Sequence, residues 1–198
     1  MWQVAAAYGV SSTDLDFSND EEAAVRRRSV TVSMERRFGE RWAVQAGGGL
    51  SLGGDVTVSG DRYDLEPGWL VTAGGSFRVL DGQEWLPFLL LSAASTVSSA
   101  TAVGPRAEEA SFTAIDALRV SLTVGKVFAD AFAPYLVARA FAGPVFWERN
   151  GEDVTGTDQN YYQLGGGLLV TAGGRVSAYA EVIPLGELSA SVGASVSF

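Results

Sequence analysis

The groups that could do chemistry in this chain are few. It has no histidine and no cysteine, and 13 of its 14 basic residues are arginine, Lys126 being the lone lysine. An imidazole base, a thiol nucleophile, a Cys/His zinc site and a disulfide frame are all excluded. A Ser–Lys dyad would have to use Lys126, which sits beside an expected short turn. Carboxylates gather in four polar stretches: Asp14, Asp16, Asp20, Glu21 and Glu22; Asp55, Asp61, Asp64 and Glu66; Glu108 and Glu109; Glu148, Glu152, Asp153 and Asp158. A catalytic pair could be assembled from them, but solvated loop charge is the simpler reading. EF-hand spacing is absent, so the acidic loops could hold calcium only weakly, and no Lys-Ser/Thr follows Gly47–Gly49 or Gly165–Gly167, so a phosphate loop is not expected. The expectation is a protein that is not an enzyme, with no catalytic residue, no metal and no cofactor.

The elements that position the remaining polar groups announce themselves by a period of two. From Leu188 to Phe198, apolar residues alternate with small or polar ones at eleven consecutive positions. That is a strand signal. The same alternation runs from Trp2 to Ser11, Arg41 to Leu52, Trp69 to Val79 and Leu118 to Gly125. Turn residues cut the chain at Phe38–Arg41, Leu80–Glu84, Ala129–Ala133, Gly173–Gly174 and Pro184–Glu187. Longer polar breaks fall at Ser12–Ala24, Gly54–Glu66, Ser98–Ala110 and Glu148–Gln159. This segmentation predicts ten strands, at 2–11, 25–37, 41–53, 67–79, 85–97, 112–127, 133–147, 160–172, 175–183 and 188–198, with eight as the alternative count. The longest uncharged stretch, Trp85–Pro105, is broken by Pro87 and mixed with serine and threonine, so a membrane helix is not expected there.

Composition decides which face is inside. A soluble barrel turns its polar face to water and fills it with Lys and Glu. Here that face is mostly Ser, Gly, Thr and Gln, and the charges lie in the long breaks. Charge-poor segments of roughly 9–11 residues between charged ends suit a bilayer. Trp2, Trp42, Trp69, Trp85, Phe128, Phe132, Tyr135, Trp147, Tyr161 and Tyr162 lie near strand ends, as membrane-interface aromatics do. Parity then puts Arg27, Glu35, Arg37, Gln45, Arg78, Arg119, Arg139, Gln163, Tyr179 and Glu181 in the lumen as a polar network. Buried charges need partners, and Glu181 is the carboxylate expected near Arg119 and Arg139. Asp116, Lys126 and Arg36 fall on the apolar side, which calls for rim positions or a bulge. With a net charge of −9 and no basic face, the chain is not a nucleic-acid binder. Its start, Met1-Trp2-Gln3-Val4, shows no leader, and the chain is read as an exported protein numbered after one.

The alternating end that closes on Phe198 resembles the C-terminal signature of bacterial outer-membrane β-barrels, and Phe38–Trp42 followed by a Gly-rich strand is similar to small barrels of the OmpA/OmpW kind. The resemblance implies an outer-membrane location, contact with outer-membrane lipid and lipopolysaccharide, and recognition of Phe198 by the barrel-assembly machinery as an assembly signal. Residues 1–198 are thus expected to form one closed antiparallel transmembrane β-barrel, with short turns on one rim and longer loops on the other. The leading function is structural or interactive. The barrel would be the membrane subunit of a larger envelope assembly, and the acidic loops Ser12–Ala24 and Glu148–Gln159 would contact other envelope proteins. The alternatives are a narrow pore for ions or small anionic solutes, and a soluble lipocalin-like ligand-binding barrel.

Overall fold

The computed structural model describes residues 1–18, 21–82, 85–149 and 152–198. Among them thirteen strands and no helix form one antiparallel sheet. The strands are β1 (Trp2–Phe17), β2 (Glu22–Phe38), β3 (Trp42–Val58), β4 (Asp61–Leu65), β5 (Gly68–Asp81), β6 (Phe88–Val103) and β7 (Glu109–Gly125). They continue with β8 (Phe132–Ala142), β9 (Pro144–Arg149), β10 (Glu152–Asp158), β11 (Tyr162–Ala172), β12 (Val176–Gly186) and β13 (Leu188–Ser197).

The ladders trace two stacked rings. In the lower one, β1 pairs with β2, and the path runs on through β3, β5, β6, β7, β8, β11, β12 and β13. It returns to its start where β13 pairs with β1. The upper ring reuses the far ends of β1, β2, β3, β6 and β7. It is completed by β4 between β3 and β6, and by β9 and β10 between β7 and β1. The five shared strands are 16 or 17 residues long, well beyond the roughly 9–11 a bilayer needs, because each runs through both rings.

Each ring obeys the opposite burial rule. In the lower ring the large apolar residues face out: Val32 is 54% exposed, Leu122 45% and Val192 53%. The lumen face there is mostly small or polar, with Phe88, Leu90, Val137, Phe141 and Leu169 among the larger apolar residues that also point in. In the upper ring the same strands carry their apolar residues inward. Leu15 and Phe17 of β1, Val25 of β2, Val56 and Val58 of β3, Tyr63 and Leu65 of β4, Phe112 of β7 and Trp147 of β9 form one buried cluster. Asp14, Asp16, Arg62 and Asp64 occupy the outward positions between them. The chain thus switches from a lipid-compatible to a water-compatible pattern without leaving the strand.

This explains the main difference from the sequence reading. Each of the ten expected segments overlaps a lower-ring strand, but 133–147 is divided into β8 and β9 at Gly143. Much of the expected long loops is strand, because Asp14 and Asp16 alternate with Leu15 and Phe17, and Asp55 and Thr57 with Val56 and Val58. The loop tips at 19–20 and 150–151, with Asp20 among them, lie outside the described residues. The stretch 85–105 is mostly strand β6.

Three bulges sit where the rings meet, one of them where Ile183 and Pro184 of β12 stand opposite the single Gly165 of β11. Leu52 and Gly53 of β3 stand between the partners of Arg27 and Ser29, with Gly53 at φ +93°. Ala117 and Leu118 of β7 stand opposite the single Ser95 of β6. Each inserts a residue and so shifts the inward parity along one strand. At the same level, a Cβ on Gly143 would overlap the Ile115 carbonyl, and one on Gly186 the Tyr162 carbonyl, so no larger residue fits where the rings part.

Candidate functional site

The lower ring encloses a cavity of about 740 Å³ lined by Arg27, Glu35, Gln45, Arg119, Tyr135, Arg139, Gln163, Tyr179, Glu181 and Glu187, among others. Its polar side chains form two stations. The lower one lies by the short turns. Arg37 Nε is 2.8 Å from Glu35 Oε1, Arg37 Nη2 donates to Gln3 Oε1 at 3.0 Å, and Gln3 Nε2 donates to Ser195 Oγ at 2.6 Å. This links β2 to β1 and β13 across the seam where the lower ring closes.

The upper station sits under the apolar cluster and is centred on Gln163, which is only 2% exposed. Its Oε1 accepts from Arg119 Nη1 at 3.1 Å and from Arg139 Nη1 at 3.2 Å, while its Nε2 donates to Glu187 Oε2 at 3.0 Å. Arg139 Nη2 meets Glu181 Oε1 at 2.7 Å, and the Tyr135 hydroxyl donates to Glu181 Oε2 at 3.2 Å. Arg119 meets Asp116 Oδ2 at 2.5 Å and Glu187 Oε2 at 3.5 Å, with its guanidinium 4.5 Å from the Phe141 ring centroid. Arg27 Nη1 donates to Ser98 Oγ at 3.1 Å. Arg119 and Arg139 therefore have the charged partners that burial demands, whereas Arg27 meets a hydroxyl and Asp116 keeps one buried oxygen without a hydrogen bond.

Electrostatics at this level are close to balanced. Arg27, Arg119 and Arg139 face Asp116, Glu181, Glu187 and, a step higher, Asp158. Loss of water pushes the Glu187 carboxyl above its ordinary range, with Arg119 pulling it back. Burial likewise raises Asp158, against the hydrogen bond from Thr13 Oγ1 at 2.7 Å and the pull of Arg27. Asp116, Asp158 and Glu187, with Thr13, Arg27 and Arg119, border a small chamber of about 50 Å³. Leu15, Val25, Phe112 and Val145 form its apolar side.

Several sequence expectations are placed differently. Arg139 takes Glu181 as its partner, but Arg119 takes Asp116 and Glu187. The β7 bulge turns Asp116 inward, and the tight turn after Gly186 folds Glu187 back under the cap, where it is 8% exposed. Tyr135 was expected at a membrane interface. It shares the inward parity of Val137 and Arg139, so its ring lies in the lumen. Trp147 was expected there too, yet it is 1% exposed, because β9 belongs to the upper ring. The other expected interface aromatics are exposed: Trp2, Trp42, Trp69, Trp85, Phe128, Phe132, Tyr161 and Tyr162. Arg36 stacks over Trp2 and Phe38 at 5.1 and 4.9 Å, and Lys126 Nζ lies 6.0 Å from the Trp85 ring and 3.3 Å from the Leu86 carbonyl. Both cations thus sit at the short-turn rim. Gln45 and Tyr179 line the cavity, and Arg78 is half-buried on β5. Phe198 exchanges backbone hydrogen bonds with Trp2 at that rim.

With its apolar belt outward, its polar lumen and its strands joined in a ring, the chain has the fold of the bacterial outer-membrane β-barrels. Solved structures of that class share it. The outer membrane protease OmpT from Escherichia coli superposes with a TM-score of 0.61 at 10% identity, covering 100% of this chain and 96% of that one. The translocator domain of the autotransporter NalP from Neisseria meningitidis gives 0.55 at 14%, covering 100% and 88%. OprG from Pseudomonas aeruginosa gives 0.52 at 8%, covering 100% and 95%. No family model matches the sequence. No curated protein matches it either.

Proposed function

We propose that this chain is a non-enzymatic integral barrel of the Gram-negative outer membrane, spanning it with the ten strands of the lower ring and presenting the upper ring as a folded head. In this reading the short turns face the periplasm and the head stands outside the cell, as in other barrels of this kind. The outward valines and leucines meet lipid, and the exposed strand-end aromatics mark the interfaces. Phe198 at the periplasmic rim is the group offered to the assembly machinery. The head's outward acidic residues, Asp14 and Asp16 among them, are its contact surface for other envelope proteins.

The observation that carries a structural role over a pore is the apolar cluster of the upper ring. Leu15, Val25, Val56, Val58 and Trp147, each at most 1% exposed, fill the axis above the lumen. The upper ring has eight strands, a number whose interior side chains just fill. The lumen below is then a cup and not a passage. The upper station favours the same reading, because its arginines are matched by carboxylates and do not form a basic constriction. The lipocalin-like alternative needs apolar residues inside the larger ring, whereas Val32, Leu122 and Val192 point out of it.

Planar-bilayer recording of the refolded protein tests this. Membranes with the protein inserted should show no steady unitary conductance. A stable conductance that changes on Arg119→Ala or Arg139→Ala would favour the pore instead.

A further inference from the structure

The outer wall of the lower ring is not smooth on one side. Where β12 and β13 turn back at Gly186 while β1 and β2 continue into the head, a groove of about 500 Å³ opens. Val10, Val182, Pro184, Leu188 and Ala190 line it, and all stand at outward positions. Its volume lies within the roughly 300–1,000 Å³ of small-molecule sites. Arg26 and Arg28 border it on the side toward the head. They stand on the outward face of β2, immediately above Val30, Val32 and Met34, where the apolar belt ends. Asp55 is the cross-strand neighbour of Arg26, but its Oδ1 is held by Arg62 Nη2 at 3.5 Å. Among the described residues, neither Arg26 nor Arg28 is in an ion pair.

We infer that this groove binds one phosphorylated lipid of the outer leaflet, with an acyl chain along Val182, Leu188 and Ala190 and the phosphate on Arg26 and Arg28. The inference rests on the membrane reading above. An apolar slot bordered at the water boundary by two exposed arginine side chains matches an amphiphile with an anionic head, since arginine binds phosphate in a fork of parallel hydrogen bonds. The rest of the head's outward surface is mostly acidic, and its Arg62 is held by Asp55 and Asp64, so it offers a phosphate less. The groove is therefore the place on this wall where charge and apolar surface suit the same molecule.

The test is native mass spectrometry of the full chain refolded in detergent and offered bis-phosphorylated lipid A. Every variant is first checked for heat-modifiable migration on a gel, the mark of a folded membrane barrel. The wild type should retain one lipid. The double variant R26Q/R28Q should lower its occupancy about tenfold or more, the loss of at least one charge-assisted hydrogen bond. Ala190→Trp, which fills the slot and leaves both arginines, should lower it comparably, while Arg106→Gln in the 104–108 turn should not. The wild type should also discriminate against the same lipid after phosphatase treatment, an arm that needs no variant to fold. Undiminished occupancy in R26Q/R28Q, equal binding of the dephosphorylated lipid, or a dimer cross-linked through Leu188→Cys would overturn the groove assignment. A wild type that dissolves without detergent would overturn the membrane reading itself, and the groove with it.

Discussion

Replacing Trp147 with alanine should cost about 3–5 kcal/mol, because the site cannot close over the space left by a fully buried indole. Trp147 is the largest buried side chain of the head. Its ring lies 5.6 Å from Phe17, 4.9 Å from Tyr63 and 6.2 Å from Phe112, so it touches β1, β4 and β7 at once. Such tilted and edge-on pairs add to the burial energy. The loss should be local. The lower ring is held by its own ladders and its lumen network, and Trp147 reaches neither. Limited proteolysis should therefore cut the β1–β2 and β9–β10 hairpins in the variant and not in the wild type. Heat-modifiable migration should persist in both. If the variant resists protease as the wild type does, Trp147 is not the keystone of the head.

The second large effect concerns the outer wall. Val32 lies mid-belt on β2, between Val30 and Met34, and is 54% exposed. Placing an arginine there should destabilise the folded protein in bilayers by about 2–4 kcal/mol, since the guanidinium must be held in hydrocarbon. Its neighbour Ser33 faces the lumen, on the same side as Glu35. Ser33→Arg should cost less than about 1 kcal/mol, because the new charge enters a wet cavity that already holds ion pairs. Reversible denaturant titration in lipid vesicles measures both. Equal costs at the two positions would mean that β2 does not separate lipid from lumen.

Much of the lower ring is legible in the sequence because its pattern is simple. The alternation from Leu188 to Phe198 returns as β13, and that around Trp42 as β3. Gly173 and Gly174 mark their turn because both adopt positive φ, 58° and 69°, which glycine takes without strain. The head was hidden by the same rule that exposed the barrel. Carboxylates at Asp14, Asp16 and Asp55 read as loop, although Leu15, Phe17, Val56 and Val58 keep the period of two between them. An inverted alternation just beyond a membrane strand was the available signal. Nearness to a strand end marks Trp147 and Tyr135 as interface aromatics, whereas parity turns Tyr135 inward beside Arg139. Asp116 breaks the alternation of its strand, which leaves a rim position or a bulge open, and the structure shows the bulge. Glu187 reads as a surface turn residue, and the pairing of β12 with β11 brings it beside Gln163.

An outward apolar belt requires β2 to point Val30, Val32 and Met34 away from the lumen, and the absence of cysteine makes that direction measurable. Single cysteines placed in turn at Val30, Thr31, Val32, Ser33 and Met34 should alternate when the protein is in vesicles. Those at positions 31 and 33 should react with a small water-soluble maleimide. Those at 30, 32 and 34 should be shielded from it and quenched, once labelled in detergent and reconstituted, by brominated acyl chains. The reverse alternation, or uniform labelling along the strand, would contradict the outward apolar belt and the membrane barrel built on it.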